Sequence, residues 1–303
     1  MKTRDYLAAL AVVVIWGLNF VAMKFALHDF TPFQLGAARY VAAVLPLVLF
    51  IRRPQIPWKW LLLYGLLQGV GQFGFLFSAL QAGMTAALAS VLMQTQVFFT
   101  AILGFALLHE KPGRPLQAGL VLAALAIACF AMNFIATNEG ATPTITVFGF
   151  ILNLCAAAMW ASSNIVVRKL QKTGLGYDAT AFVVWSSLAP VLPFVALTLL
   201  LDAPATRWTW MQAGLSSWLS VAYLGWVATI AAYALWTGLL KRHLANRVAP
   251  FSLGVPVVGL TAGVFILGET ITGWQWAGIA LVVAALACVM FIPAKPGAQG
   301  VRP

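Results

Sequence analysis

Ten polar or aromatic side chains fall inside apolar stretches of the sequence, where they could form a binding surface. An amide or hydroxyl that faces lipid without a partner costs roughly a few kcal/mol, so it faces another helix or a water-filled cavity. Rings can stack on a ring or an ammonium group, and amides can bind a carboxylate. The set is Trp16, Asn19, Gln68, Gln72, Gln94, Trp160, Ser163, Asn164, Tyr233 and Trp236. It predicts a cavity for an aromatic or bulky apolar zwitterion, with contact between helices as the alternative for each residue.

The acidic residues are all placed at termini, links or helix ends. They are Asp5, Asp29, Glu110, Glu139, Asp178, Asp202 and Glu269. A proton relay normally has a carboxylate or histidine inside the membrane, and an intramembrane hydrolase needs paired carboxylates, a nucleophile with its base, or a metal motif. We therefore expect no catalysis, no metal and no cofactor, and we expect gradient-driven movement of a neutral or zwitterionic small molecule.

Three charged residues lie within or next to predicted helices. Arg39 could have a functional or a structural role, whereas Glu110 and Glu269 are expected to have a structural role. Arg39 falls about seven residues into a predicted helix. It could anchor a substrate carboxylate, or it could reach an interface or bond to carbonyls of a neighbouring helix. Glu110 and Glu269 each precede a helix, and a carboxylate is stabilised at a helix N-terminus. We expect each of them to cap the helix that follows it.

The composition is that of a helical membrane protein. Of the 303 residues, 62% are hydrophobic and 8% are charged, whereas soluble domains have about 25% charged residues. Three cysteines, Cys129, Cys155 and Cys288, match no metal or redox spacing. The uncharged run Tyr6–Met23 is 18 residues long. It can span a membrane, so we expect it to be the first transmembrane helix and not a signal peptide.

Runs of about 20 apolar residues predict membrane-spanning helices, and turn residues separate them. The fold class predicted is an all-α integral membrane protein with ten transmembrane helices arranged as two inverted five-helix repeats. The predicted spans are about 6–26, 32–51, 58–81, 85–108, 115–135, 145–167, 179–201, 211–240, 245–267 and 274–292.

The basic residues predict the orientation. With the N-terminus inside, 15 of the 18 Lys and Arg residues fall on the inner side, which is a strong positive-inside bias. Both termini are then cytoplasmic. The net charge of +11 is explained by contact with anionic lipid headgroups, so the lipid bilayer and not a nucleic acid is the expected partner.

An internal repeat divides the chain into residues 1–140 and 141–303. LLHEKPGRPLQAG aligns with ILGETITGWQWAG at an offset of 159, and WGLNFVAMK (16–24) aligns with WASSNIVVR (160–168). Each half has five predicted helices, and because five is odd the halves enter the membrane from opposite sides. Inverted repeats of this kind are typical of secondary transporters.

The ninth predicted helix contains the best candidates for a hinge. Pro250, Gly254 and Pro256 interrupt it, and proline frees backbone carbonyls and kinks a helix. A static kink is the alternative. Pairs of glycines four apart, at Gly65 and Gly69 and at Gly259 and Gly263, predict close packing between the halves.

Several motifs resemble those of the drug/metabolite transporter superfamily, EamA type. They are W-G-x-N at 16–19, ARY at 38–40, and the Glu two residues after Leu108 and Leu267. The resemblance covers nearly the whole chain, and within the family the chain is most similar to exporters of aromatic amino acids. It implies a multi-pass protein of the bacterial inner membrane that exports amino acids and related metabolites by alternating access. A multidrug or other small-metabolite transporter of the same fold is the alternative, and a monomer is sufficient in either case.

Overall fold

The computed structural model describes residues 1–109, 113–136, 145–243 and 248–291, and within these ranges all regular secondary structure is helical. The helices are α1 (Thr3–Ala26), α2 (Pro32–Val44, with a 3-10 turn at Leu47–Leu49), α3 (Trp58–Gln81), α4 (Ala86–Leu108), α5 (Arg114–Ala136), α6 (Val147–Lys172), α7 (Ala179–Leu201), α8 (215–242), α9 (Phe251–Leu267) and α10 (Gly273–Phe291). In the described part of the chain nine of them are long and apolar enough to cross a membrane, and α9 is a shorter apolar helix. The predicted all-α membrane fold is confirmed.

Local sequence explains where several helices begin. The side chains of Thr31, Thr85, Thr146 and Asp178 each accept a hydrogen bond from a backbone N–H three residues further on. These interactions satisfy N–H groups that a helix leaves unpaired at its start. The turn residues that separate the spans in the sequence therefore also cap the helices that follow them.

Helices α4 and α9 end in the same way, at positions 159 residues apart. His109 and Gly268 have left-handed backbone conformations, with φ of 56° and 66°. Each donates its N–H to a glycine carbonyl one turn back, Gly104 or Gly263. The offset equals that of the sequence repeat, so the two halves share this local structure.

Substitutions at these two positions should have opposite effects on stability. A left-handed conformation costs a residue with a Cβ roughly 1–2 kcal/mol. We therefore expect His109→Gly to stabilise the protein by about 1 kcal/mol and Gly268→Ala to destabilise it by a similar amount. A Cβ at Gly268 would have no atom within 4 Å, so Gly268→Ala should change stability through backbone strain and not through a steric clash. Thermal unfolding in detergent measures both, and a lower melting temperature for His109→Gly would contradict the prediction.

The two five-helix halves interleave. Helix α1 packs against α8 and α9 of the second half, and its repeat counterpart α6 packs against α3 and α4 of the first. Helix α5 packs along α10, and α2 packs against α7. The halves are therefore not separate globular bodies, and the predicted boundary between residues 140 and 141 lies outside the described residues.

The bundle has two ends, which we name the Thr3 end and the Ala26 end after the limits of α1. At the Thr3 end, Asp5 lies 3.1 Å from Arg242 and 3.0 Å from His243. These contacts join the start of α1 to the end of α8.

Four helices depart from regular α geometry at matching positions in the two repeats. In α3 and α8, eight residues of α-helix precede a π-helical segment, Leu66–Phe73 and Tyr223–Ala231. Helix α4 contains a 3-10 segment at Met93–Thr95, and a 3-10 segment at Ala249–Leu253 leads into α9 and overlaps its start. Irregular turns of this kind occur frequently at functional sites.

Candidate functional site

A cavity of about 610 Å³ lies between helices from both halves. Eight of the ten predicted site residues line it. They are Trp16, Asn19, Gln72, Gln94, Trp160, Asn164, Tyr233 and Trp236. Cavities of this size are large enough to enclose a small organic molecule.

The cavity extends to the Thr3 end and stops short of the Ala26 end. Two of its lining residues, Arg168 and Gln171, are exposed near the end of α6. In the opposite direction its wall includes Phe20 and Leu76, which are 6% and 1% exposed. Among the described lining residues, the exposed ones are therefore at the Thr3 end, where a ligand could enter.

An aromatic cluster forms one wall. The ring of Trp16 lies 5.3 Å from that of Tyr233 and 5.4 Å from that of Trp236, between centroids. The Trp16 indole donates a hydrogen bond to the Ala228 carbonyl, 3.0 Å away, in the π-helical segment of α8. This bond fixes the ring orientation, so the cluster offers a rigid surface for an aromatic or apolar group. Trp160 lines the cavity as well.

Amides line other parts of the cavity and differ in their partners. The Oδ1 of Asn19 and the Oε1 of Gln72 are buried and accept no hydrogen bond. Asn164 donates to the Gln96 side chain, 2.9 Å away. Asn19 and Gln72 therefore have acceptor oxygens without a partner, whereas Asn164 joins α6 to α4.

Gln94 compensates for a proline. Pro256 has no N–H to give to the carbonyl of Ser252, four residues earlier. That carbonyl accepts a hydrogen bond from Gln94 Nε2 at 3.2 Å. Gln94 thus lies on the cavity wall and also stabilises the irregular start of α9.

The remaining two predicted site residues pair with each other and do not line the large cavity. Ser163 donates a hydrogen bond to Gln68 Oε1 at 2.5 Å. Ser163 is 0% exposed and Gln68 is 7% exposed. In this structure the pair connects α6 to the π-helical segment of α3.

Asn19 and Ser163 occupy aligned positions in the repeat and allow a matched test. We expect Asn19→Ala to reduce transport with little change in melting temperature, because its Oδ1 has no partner to lose. Ser163→Ala should cost about 1 kcal/mol of stability, the usual value of a hydrogen bond, and leave most transport activity. Counterflow and thermal unfolding of both variants measure the difference. A large loss of stability in Asn19→Ala would mean that Asn19 connects helices instead.

The predicted hinge residues lie just before α9 and in its first turns. Pro250 is within the 3-10 segment Ala249–Leu253, and Gly254 begins the α-helical part. A Cβ at Gly254 would lie 2.7 Å from Val13 Cγ1, so α9 approaches α1 closely at this point. Pro256 is buried in the first α-helical turn. Movement at these positions remains a prediction.

Arg39 is buried inside the protein, so the interpretation in which its side chain extends to a membrane interface is excluded. Its side chain borders the cavity and is only 3% exposed. Its Nη2 donates a hydrogen bond to the hydroxyl oxygen of Thr229, 3.2 Å away, and not to a carbonyl oxygen.

The Ala26 end is closed by contacts between the halves. The two carboxylate oxygens of Glu269 accept hydrogen bonds from the N–H groups of Ala86 and Ala87, at 2.7 and 2.8 Å. Glu269 therefore caps α4, not the following helix α10, so the expectation was right about capping and wrong about the helix. Glu110 lies outside the described residues. Nearby, Lys24 donates to the Leu80 carbonyl at 3.0 Å.

The links at this end add a second set of contacts. Asp29, between α1 and α2, accepts hydrogen bonds from the hydroxyl of Ser217 and the N–H of Gly214, at 2.7 and 2.8 Å. The hydrogen bonds from Ser217, from His28 and from Gly214 lower the pKa of Asp29 to about 2. Asp29 therefore stays charged at physiological pH and holds the start of α8.

Within the described ranges, no group of three or more His, Cys, Asp or Glu residues could hold a metal ion.

The model of the EamA-like transporter family matches residues 3–132 and 147–291. The chain belongs to the EamA-like transporter family. It is thus a multi-pass inner-membrane transporter of small molecules and not an enzyme.

Close relatives of this EamA-like transporter have been named for their substrates. It is 41% identical to a "Probable amino-acid metabolite efflux pump" of Salmonella typhimurium strain LT2, over 94% of each chain. It is 39% identical to a protein of Escherichia coli K12 with the same name, again over 94% of each chain. A solved crystal structure with 21% identity superposes with a TM-score of 0.60, covering 95% of this chain and 97% of the other. At that identity the superposition supports the fold alone.

Proposed function

We propose that this transporter exports amino acids with aromatic or bulky neutral side chains, and related metabolites, by alternating access. The observation that carries the proposal is the cavity, whose lining includes an aromatic cluster and amides with unpaired oxygens. Rings suit an apolar side chain, and amides suit the charged groups of a zwitterion. The two relatives that are about 40% identical and named for amino-acid metabolites support the same substrate class.

The direction of transport follows from the predicted orientation. If the N-terminus is cytoplasmic, the cavity opens to the cytoplasm and the Glu269 contacts close the periplasmic side. This is the state in which an exporter takes up its substrate. Among the described residues that line the cavity, the charged ones are Arg39 and Arg168. Since no carboxylate is among them, we expect transport to follow the substrate gradient.

Counterflow in proteoliposomes tests the proposal. Purified protein should exchange labelled phenylalanine, tryptophan or leucine against the same unlabelled amino acid, without an imposed proton gradient. Empty liposomes provide the control. The absence of exchange for every amino acid in a broad panel, with exchange of apolar drugs instead, would favour a multidrug transporter. A strict requirement for a proton gradient would contradict gradient-driven movement.

A further inference from the structure

Arg39 is a cation deep inside the protein without an acidic partner. It lies on α2 and is 3% exposed, and it forms no ion pair with any described carboxylate. Buried charges in proteins are normally paired, because an unpaired charge loses its hydration without compensation. An arginine in this situation therefore needs a particular explanation.

The surroundings hold the guanidinium in a fixed position without neutralising it. Its carbon lies 3.8 Å from the centre of the Phe73 ring, in stacking contact. One nitrogen, Nη2, donates to the hydroxyl oxygen of Thr229 at 3.2 Å. Thr229 in turn donates its own proton to the Leu224 carbonyl at 2.7 Å. The hydroxyl oxygen is thereby oriented as an acceptor toward Arg39.

The rest of the guanidinium has no partner. Its Nε and Nη1 atoms are buried and form no hydrogen bond. A planar guanidinium with free N–H groups matches the geometry of a carboxylate better than any other cationic side chain does. The π-helical segments supply both fixed neighbours, since Phe73 ends the segment of α3 and Thr229 lies within that of α8.

Arg39 shares a cavity with acceptors that suit the other charge of a zwitterion. It borders the 610 Å³ cavity together with Asn19 and Gln72. The side-chain oxygens of those two amides, Oδ1 and Oε1, have no donor. The residues that border this cavity therefore include a cation with unpaired donors and two neutral amides with unpaired acceptors, and these atoms are buried in the observed state. An ammonium group is a donor that can satisfy them.

We infer that Arg39 binds the carboxylate of the transported substrate and that Thr229 is a positioning residue for it. This inference rests on the proposed function, and it makes a free carboxylate a requirement for tight binding. Asn19 and Gln72 then face the ammonium group, and the aromatic cluster faces the side chain.

A bound water is the competing explanation for the free N–H groups. A separate void of about 20 Å³ borders Arg39, Gln68 and Thr229, which is large enough for about one water molecule. In that case Arg39 would be a structural residue, and compounds with and without a carboxylate would bind alike.

Thermal stabilisation of the purified protein by three related compounds separates these explanations. They are phenylalanine, 3-phenylpropionate, which lacks the ammonium group, and phenethylamine, which lacks the carboxylate. A ligand that binds the folded state raises the melting temperature, and the stabilisation grows with the logarithm of the ligand concentration divided by the dissociation constant. We expect both carboxylates to stabilise the wild type and phenethylamine to need about tenfold or higher concentrations for the same shift. Arg39→Gln should remove this preference.

Further variants keep the test informative if Arg39→Gln does not fold. Arg39→Lys keeps the charge and should retain part of the preference, and Thr229→Val should weaken it while Arg39 is still present. Arg168→Gln, which removes the other cavity-lining arginine, is the matched control and should retain the full preference. A preference that survives in Arg39→Gln, or that disappears in Arg168→Gln instead, would overturn the inference.

Counterflow of the same proteins shows whether the inference about Arg39 or the proposed function is wrong. If carboxylates bind through Arg39 but no amino acid is exchanged, the proposed substrate class is wrong and the carboxylate site stands. If amino acids are exchanged and phenylalaninamide competes as well as phenylalanine, the proposed function stands and the role of Arg39 is wrong.

Discussion

Replacing Glu269 by Gln is expected to open the Ala26 end of the bundle and to slow counterflow. The carboxylate of Glu269 accepts two backbone N–H groups at the start of α4, and an amide can accept only one of them without presenting its NH₂ group to the other. Hydrogen bonds to a charged group contribute roughly 1.5–3 kcal/mol. Their loss should shift the equilibrium away from the observed state by roughly ten- to a hundredfold.

A buried cysteine can report on this opening. Leu76 is 1% exposed at the closed end of the cavity. In a protein without Cys129, Cys155 and Cys288, a Leu76→Cys variant should react slowly with an impermeant maleimide added at the Ala26 side. Glu269→Gln should accelerate labelling. Asp178→Asn, which removes a carboxylate that caps its own helix, should not. Equal labelling with and without Glu269→Gln would show that the Glu269 contacts do not keep this end closed.

Gly65→Ala is expected to destabilise the protein by roughly 3 kcal/mol, at the upper end for overpacking. A Cβ at Gly65 would overlap the backbone carbonyl oxygen of Ser186 in α7 and lie 2.7 Å from Ala189 Cβ. Backbone atoms cannot rotate away as a side chain can, so α3 and α7 would have to separate. Helix propensity alone would predict the opposite, since alanine stabilises a helix by about 1 kcal/mol over glycine.

Gly238→Ala provides the matched control for this effect. Gly238 is also within a helix, but its added Cβ would meet only the flexible Arg242 side chain, at 3.4 Å. We expect this variant to be as stable as the wild type or up to about 1 kcal/mol more stable. Thermal unfolding of the two variants measures the difference. Similar melting temperatures for both would contradict the close contact between α3 and α7.

The sequence was sufficient to predict the helices because lipid imposes a strong requirement on composition and length. The turn residues between the predicted spans include Thr31 and Asp178, and the structure shows both as helix caps. The predicted cavity residues were identified because an amide in an apolar run has few alternatives to a cavity or a partner helix. Choosing between those two alternatives required the fold, as Gln68 and Ser163 illustrate.

Other features could not be predicted because they depend on neighbours distant in the chain. Glu269 precedes α10 in sequence, yet it meets α4, whose start lies 183 residues earlier. The π-helical segments leave no trace in a nearly uniform apolar pattern, since a shift in helical period is visible only when polar and apolar residues alternate. The contacts of Arg39 with Phe73 and Thr229 depend on two of these segments. They therefore could not be predicted from the sequence either.

The paired π-helical segments bear on the ancestry of the chain. Each begins after eight residues of α-helix, in α3 and in α8. Hydrogen bonds to the fifth residue in place of the fourth are what one inserted residue would produce. A single insertion in one half, before that half was duplicated, would produce both segments. In that case the cavity, which helices of both halves line, would descend from a contact surface between two copies of one shorter chain.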